Sequence, residues 1–181
     1  MERFRQIGNK TIRRIGYWLL AIGTLCGCDN KYHYLPKDIE PISVNIVRFD
    51  SALLAVRTDS ALQDVVQLYA DYEAFMPVYV EGVLRLPMAD TAYFSQQLAT
   101  FLTDTTMGFA QTNALSQRHF AHIDTIQTLL NTAFSRLHYL YPDWTIPTVY
   151  LFVSGFNSTV FYYDDMLGVG IDMYLGSDYP Y

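Results

Sequence analysis

The sequence predicts an α+β domain, with N-terminal helices followed by a small antiparallel β-meander. Three observations carry this expectation. Between Asp59 and about His138 the apolar positions recur at helical spacing, the period that places one stripe of side chains on one face. After Pro147 they give way to short β-branched and aromatic runs separated by turn residues. Hydrophobic residues make up 51% of the 181, and 15% are aromatic, so there is apolar surface for one core.

The first 27 residues read as a separate piece. Arg3, Arg5, Lys10, Arg13 and Arg14 oppose only Glu2, although the whole chain carries a net charge of −6. The apolar run from Ile15 to Leu25 is 11 residues long, about half of the ~20 that a membrane-spanning helix needs. A basic stretch, a short apolar run and small residues are the order of a secretory signal. Leu25-Cys26-Gly27-Cys28 then resembles the lipobox of bacterial lipoproteins, with Cys28 as the lipidated first residue of the mature protein. Cys26 would leave with the signal and Cys28 would be capped, so the two cysteines of the chain form no disulfide. Residues 28–40 are polar, interrupted by Pro36, and read as a lipidated tether to a single domain over 41–181. The anchor places the protein in the cell envelope, on the periplasmic side of a membrane, and Asp29 leaves open whether that is the inner or the outer one.

Within the domain, Ile42, Val44 and Ile46 alternate with polar residues and predict a strand over 42–49. Asp50-Ser51 offers a helix start. From Asp59-Ser60, the residues Leu62, Val65, Val66, Tyr69 and Tyr72 predict an amphipathic helix, with Asp59 or Ser60 as its cap. The apolar segment from Phe75 to Leu86 contains Pro77 and predicts a short or kinked helix. Asp90-Thr91 starts another, with Tyr93, Phe94, Leu98, Phe101 and Leu102 apolar, and residues 103–111 read as a loop. The longest helix is expected from about Asn113 to His138, with Ile123, Ile126, Leu130, Phe134 and Leu137 on one face, ending near Tyr141-Pro142-Asp143. Three strands follow, over 149–153, 159–163 and 167–174. The last is apolar and ends the chain without a covering helix, so an exposed edge and a chain incomplete at its C-terminus are expected.

Few residues invite chemistry. His119 and His122 stand three apart on the long helix with Asp124 nearby, the start of a zinc site. A third ligand and a His-Glu-x-x-His sequence are both lacking, so no metal is expected. His138 suits the negative end of a helix dipole. Asp164-Asp165 falls where a hairpin turn is expected. Asp172 interrupts the apolar run Leu167–Gly176, where a charge is costly unless paired. A structural role follows, with an Arg or the amides of the following Leu175-Gly176 turn as partner. Asn157-Ser158-Thr159 matches the eukaryotic N-glycosylation sequon. Five Asp-Ser/Thr pairs, at Asp50, Asp59, Asp90, Asp104 and Asp124, are similar to short O-glycosylation acceptors of Bacteroidetes envelope proteins, but read better as helix starts. No catalytic residue, cofactor or small-molecule ligand emerges, and the acidic balance argues against nucleic acid as a partner.

Together, several of these stretches resemble the gliding-motility lipoprotein GldB family of Bacteroidetes. They are the lipobox, Val47-Arg48-Phe49-Asp50, the Tyr69/Tyr72/Phe75 helix, the Tyr141-Pro142 break and Leu167–Gly176 leading to Asp178-Tyr179-Pro180. The resemblance covers nearly the whole mature chain, and it implies a family member continuing past residue 181. It implies an envelope lipoprotein of gliding motility and of the type IX secretion machinery, with envelope proteins as partners. It also implies a zincin-like arrangement whose catalytic helix would lie beyond Tyr181, so no metal ligand transfers to this chain. The function expected is a non-catalytic, lipid-anchored structural or interaction role. The alternative is a zincin-like hydrolase, and a solute-binding lipoprotein using the aromatic residues as stacking surface ranks last.

Overall fold

The computed structural model describes residues 35–36, 38–86, 91–106 and 109–177. The lipobox, most of the tether, the Asp90 pair and Asp178-Tyr179-Pro180 lie outside the described residues. Residues Ile39–Tyr181 form one compact unit.

Strand β1 (Ile46–Arg48) leads straight into a short helix α1 (Phe49–Leu53). Helix α2 (Ala61–Asp71) follows, then α3 (Phe75–Pro77), which continues as a π-helical turn over Val78–Val83. Helices α4 (Thr91–Thr103), α5 (Phe109–His119) and α6 (Asp124–Leu140) precede β2 (Thr148–Phe152), β3 (Val160–Tyr163) and β4 (Met166–Gly170). A 3-10 turn over Ile171–Tyr174 follows directly on β4.

The mixture of helix and sheet is as expected, but the sheet is not a meander. Its order is β1-β2-β4-β3, with β1, β2 and β4 parallel and only β3 antiparallel to β4. The hairpin at Asp164-Asp165 does form: Tyr163 pairs with Met166, and Asp164 takes the positive φ of 48° that a tight turn demands. What moves is β4. It enters between β2 and β3 because its glycines admit close neighbours there. A Cβ on Gly168 would stand 2.3 Å from the Phe161 ring, and one on Gly170 would stand 2.0 Å from the Ser158 carbonyl oxygen. The strand expected at the exposed edge is therefore interior, and the neighbours its glycines call for come from β3 and the loop before it.

Rings settle what covers each face. Phe75 stacks on Tyr150 at 4.1 Å and on Phe161 at 6.1 Å. On the opposite side, Trp144 stacks between Phe134 of α6 and Tyr162 of β3. Phe161 and Tyr162 are neighbours in one strand, so alternation sends them to opposite faces. Helical segments thus pack on both faces of the sheet, as a parallel sheet requires. The centre of the core is Phe49, edge-on to Tyr72, Phe75 and Tyr79 at about 5 Å. Burial of a side chain of this size contributes on the order of 1.5–3 kcal/mol.

Four further expectations are corrected. The first strand spans only Ile46–Arg48. The segment before it is held by α6 instead, through Ile42 N–H to Ser135 Oγ and Val44 N–H to Asn131 Oδ1. The buried stripe of α2 runs through Ala61, Val65 and Leu68, while Leu62 and Val66 are exposed. The helix placed over 113–138 is two helices, and the expected loop at 103–111 is correspondingly shorter. Arg48 Nη1 donates to the Phe120 carbonyl at 2.8 Å, engaging an acceptor just where α5 ends. Finally, the run over 167–174 leaves the sheet at Gly170 and closes into the 3-10 turn.

Candidate functional site

Two aspartates are buried at the carboxyl ends of parallel strands. Asp50 follows β1 and lies in the first turn of α1, 1% exposed. Asp172 follows β4 and lies in the first turn of the 3-10 segment, also 1% exposed. The two are satisfied in different ways.

Asp50 is held by a cation. Arg48 donates from Nε at 2.9 Å and from Nη2 at 2.7 Å, a two-pronged ion pair, and Gln117 of α5 donates to the same carboxylate. The Asp50 hydrogen bond raises the Arg48 pKa above its ordinary value, against the opposing effect of burial. Since Arg48 also reaches the Phe120 carbonyl, one side chain ties the end of β1 to the end of α5.

Asp172 is held by peptide dipoles. It accepts from Ser154 N–H at 3.0 Å, from Ser154 Oγ at 3.1 Å and from Phe156 N–H at 2.8 Å. The partners lie upstream, between β2 and β3, rather than in an Arg or the Leu175-Gly176 turn. Successive positive φ values at Gly155 (64°) and Phe156 (61°) turn the loop so that these groups converge. Phe156 is not a glycine, so its conformation carries strain that the bond to Asp172 offsets. Ser154 Oγ in turn accepts from Asn157 N–H at 3.1 Å and Ser158 N–H at 3.2 Å. Its proton and both its lone pairs are engaged. Such a hydroxyl braces a loop and has no free pair for nucleophilic attack.

Tyr79 completes this end of the core. Its hydroxyl donates to the Val153 carbonyl at 2.9 Å. Full burial, and secondarily the charge of Asp172, hold its pKa well above the ordinary 10.0. Sequence reasoning missed Tyr79, Ser154 and the Arg48–Asp50–Gln117 group. The charged pair inside Val47-Arg48-Phe49-Asp50, flanked by core residues, was the available signal for the last.

The other candidates do not converge. His119 is the final residue of α5 and His122 lies in the link before α6, both exposed. They share no helix face. His138, in the last turn of α6 as expected, has a buried Nδ1 without a hydrogen-bond partner, as has Ser116 Oγ. Asp164 and Asp165 are exposed at the opposite end of β4 from Asp172, a strand's length of ~17 Å away. Gly176 has a φ of 90° and open space around it. Of the Asp-Ser/Thr pairs, Ser60 stands at the N-cap of α2 without capping by its side chain, its hydroxyl bonding Asp64 at 2.6 Å. Asp104 closes a local turn onto Thr106 N–H at 2.7 Å. Among the described residues no three His, Cys, Asp or Glu side chains gather to hold a metal, and no helix is long and apolar enough to cross a membrane.

No curated protein and no solved structure matches the chain. The family model of the gliding motility protein GldB matches residues 32–181. That span takes in both buried aspartates, the loop that serves Asp172 and every described strand and helix, so the chain belongs to the GldB family of gliding motility lipoproteins.

Proposed function

We propose that this protein is a lipid-anchored envelope component of the gliding motility apparatus and of the type IX secretion machinery associated with it, acting by binding rather than by catalysis. The family match over residues 32–181 carries the reading. The lipobox supports the anchor: cleavage before Cys28 would leave a diacylated N-terminus, a 28–40 tether and a folded body over 41–181 on the periplasmic side. The hydrogen bonds of Ser154 and Asp172 support the non-catalytic role, since both of these buried polar groups are spent on shaping a loop. Cys28→Ser tests the anchor. The variant is expected to leave the membrane fraction on carbonate washing and to fail to restore colony spreading in a deletion strain. A variant that stays membrane-bound with its signal intact overturns the lipoprotein reading, and full spreading by a released variant overturns the need for an anchor. Wild-type protein that copurifies with no envelope protein after crosslinking overturns the binding role.

A further inference from the structure

Exposed large apolar residues are spread over the described domain, and three of them are consecutive at one end of α6. Tyr139, Leu140 and Tyr141, at the helix terminus, are each more than half exposed. The turn that follows brings Trp144 onto Tyr162, itself 52% exposed on the edge strand β3. Large aromatic residues with a polar tip are the side chains that favour a membrane–water boundary, where the ring meets acyl chains and the tip stays wet.

The entering chain runs toward this same end. Val44 N–H bonds Asn131 and, two residues earlier in sequence, Ile42 N–H bonds Ser135. Two extended residues advance ~6.6 Å and four helical residues ~6 Å, so the segment lies antiparallel to α6 at a matched pace. Followed toward its N-terminus, it therefore heads for the C-terminal turn of α6. From Ser135 to Tyr141 is ~9 Å along the helix. From Cys28 to Ile42 the chain can extend no more than ~50 Å. The described chain at Ile42–Val44 thus enters the body from the side of that turn, and a tether of this reach allows the turn to meet the bilayer.

We propose that the Tyr139–Tyr141, Trp144 and Tyr162 surface rests on the lipid bilayer that holds the protein's own anchor, fixing how the body stands on the membrane. The proposal rests on lipidation at Cys28. Tethering makes the contact effectively intramolecular, so a patch too weak to bind vesicles unaided is held in place by its effective concentration. The exposed charges beside the patch include Asp143, Asp164 and Asp165, and the body as a whole is acidic. The surface it suits is therefore one without net charge, such as zwitterionic phosphatidylethanolamine, and the contact does not depend on salt.

Trp144 is the reporter. The chain has two Trp residues, and the other, Trp18, lies in the signal that maturation removes. Full-length protein matured in its host is reconstituted into phosphatidylethanolamine/phosphatidylcholine vesicles whose acyl chains carry bromine near the headgroup. Trp144 fluorescence is expected to fall by a third or more relative to unbrominated vesicles, equally at low and high salt. A Tyr139→Glu/Leu140→Glu variant, changed only at exposed positions, is expected to remain vesicle-bound and lose most of the quenching. A lipidated, vesicle-bound wild type whose Trp144 is unquenched overturns the proposal and leaves the anchor standing, and quenching retained in the double variant overturns it equally. Wild-type protein that does not stay on vesicles at all overturns the anchor reading and this proposal together.

Discussion

Asp50 and Asp172 occupy equivalent places in the sheet: each is the second residue past the end of a parallel strand, each opens a short helical turn, and each is buried to 1%. Strand β2 lies between the two strands they follow. Asp50 has a guanidinium and Asp172 has a curled loop. The difference decides which damage can be repaired.

Arg48→Met leaves the Asp50 carboxylate buried without its cation and is expected to cost about 3 kcal/mol. Arg48→Met/Asp50→Leu removes both charges, and urea unfolding should show it recovering at least half of that loss. The loss of the bond to Phe120 sets the remainder.

Asp172→Asn is expected to cost about 3 kcal/mol or more, because an amide N–H₂ would face the N–H donors of Ser154 and Phe156. Three donors from two residues share this acceptor, so no single second substitution should restore it. Ser154→Ala on the Asp172→Asn background is expected to give less than additive damage in urea unfolding, since both residues serve the same loop.

Tyr79 ties stability to alkaline pH. Its pKa in the folded state lies well above 10.0, so the folded chain keeps a proton that the unfolded chain releases. The stability this supplies is whole below about pH 10 and falls as pH rises beyond it. Above pH 10 the wild type should lose stability more steeply than Tyr79→Phe, by up to ~1.4 kcal/mol per pH unit. At pH 7 Tyr79→Phe should be the less stable of the two by roughly 1–2 kcal/mol, because the buried Val153 carbonyl loses its donor. Denaturant melts at pH 7, 10 and 11 measure both.

Gly168→Ala drives a methyl into the Phe161 ring, 2.3 Å away. The ring is hemmed by Phe75 and Phe152, so it cannot step aside freely. A loss of about 1–3 kcal/mol is expected. Adding Phe161→Leu should return part of it, and a double-mutant cycle by thermal unfolding should show favourable coupling between the two sites.

What the sequence disclosed was local. The Asp164-Asp165 hairpin, the short helix at Phe75–Pro77 and the stripe Ile123–Leu137 rest on neighbours within one turn or one strand, and they formed where expected. The sheet order did not, because three short strands with turn residues between them look the same whether they lie in the order 2-3-4 or 2-4-3. The deciding features are room beside Gly168 and Gly170 and the curl of the 153–159 loop, and these exist only once the strands are adjacent. The break at residues 120–123 was equally hidden. It contains no glycine or proline, and Arg48 meets the Phe120 carbonyl from 72 residues upstream. The partners of Asp172 were sought next to it, whereas the loop that meets it precedes it by 16 to 18 residues.

The pairing of β1 with β2 sets a clock. Ile46 meets Val149 only after about a hundred intervening residues have been made, whereas β3 and β4 are joined by a two-residue turn. Loop-closure entropy favours the near pairing first and delays the far one. The hairpin can therefore be in place while β1 is still searching. A chain that emerges N-terminus first is then held back from completing its sheet until β2 has followed.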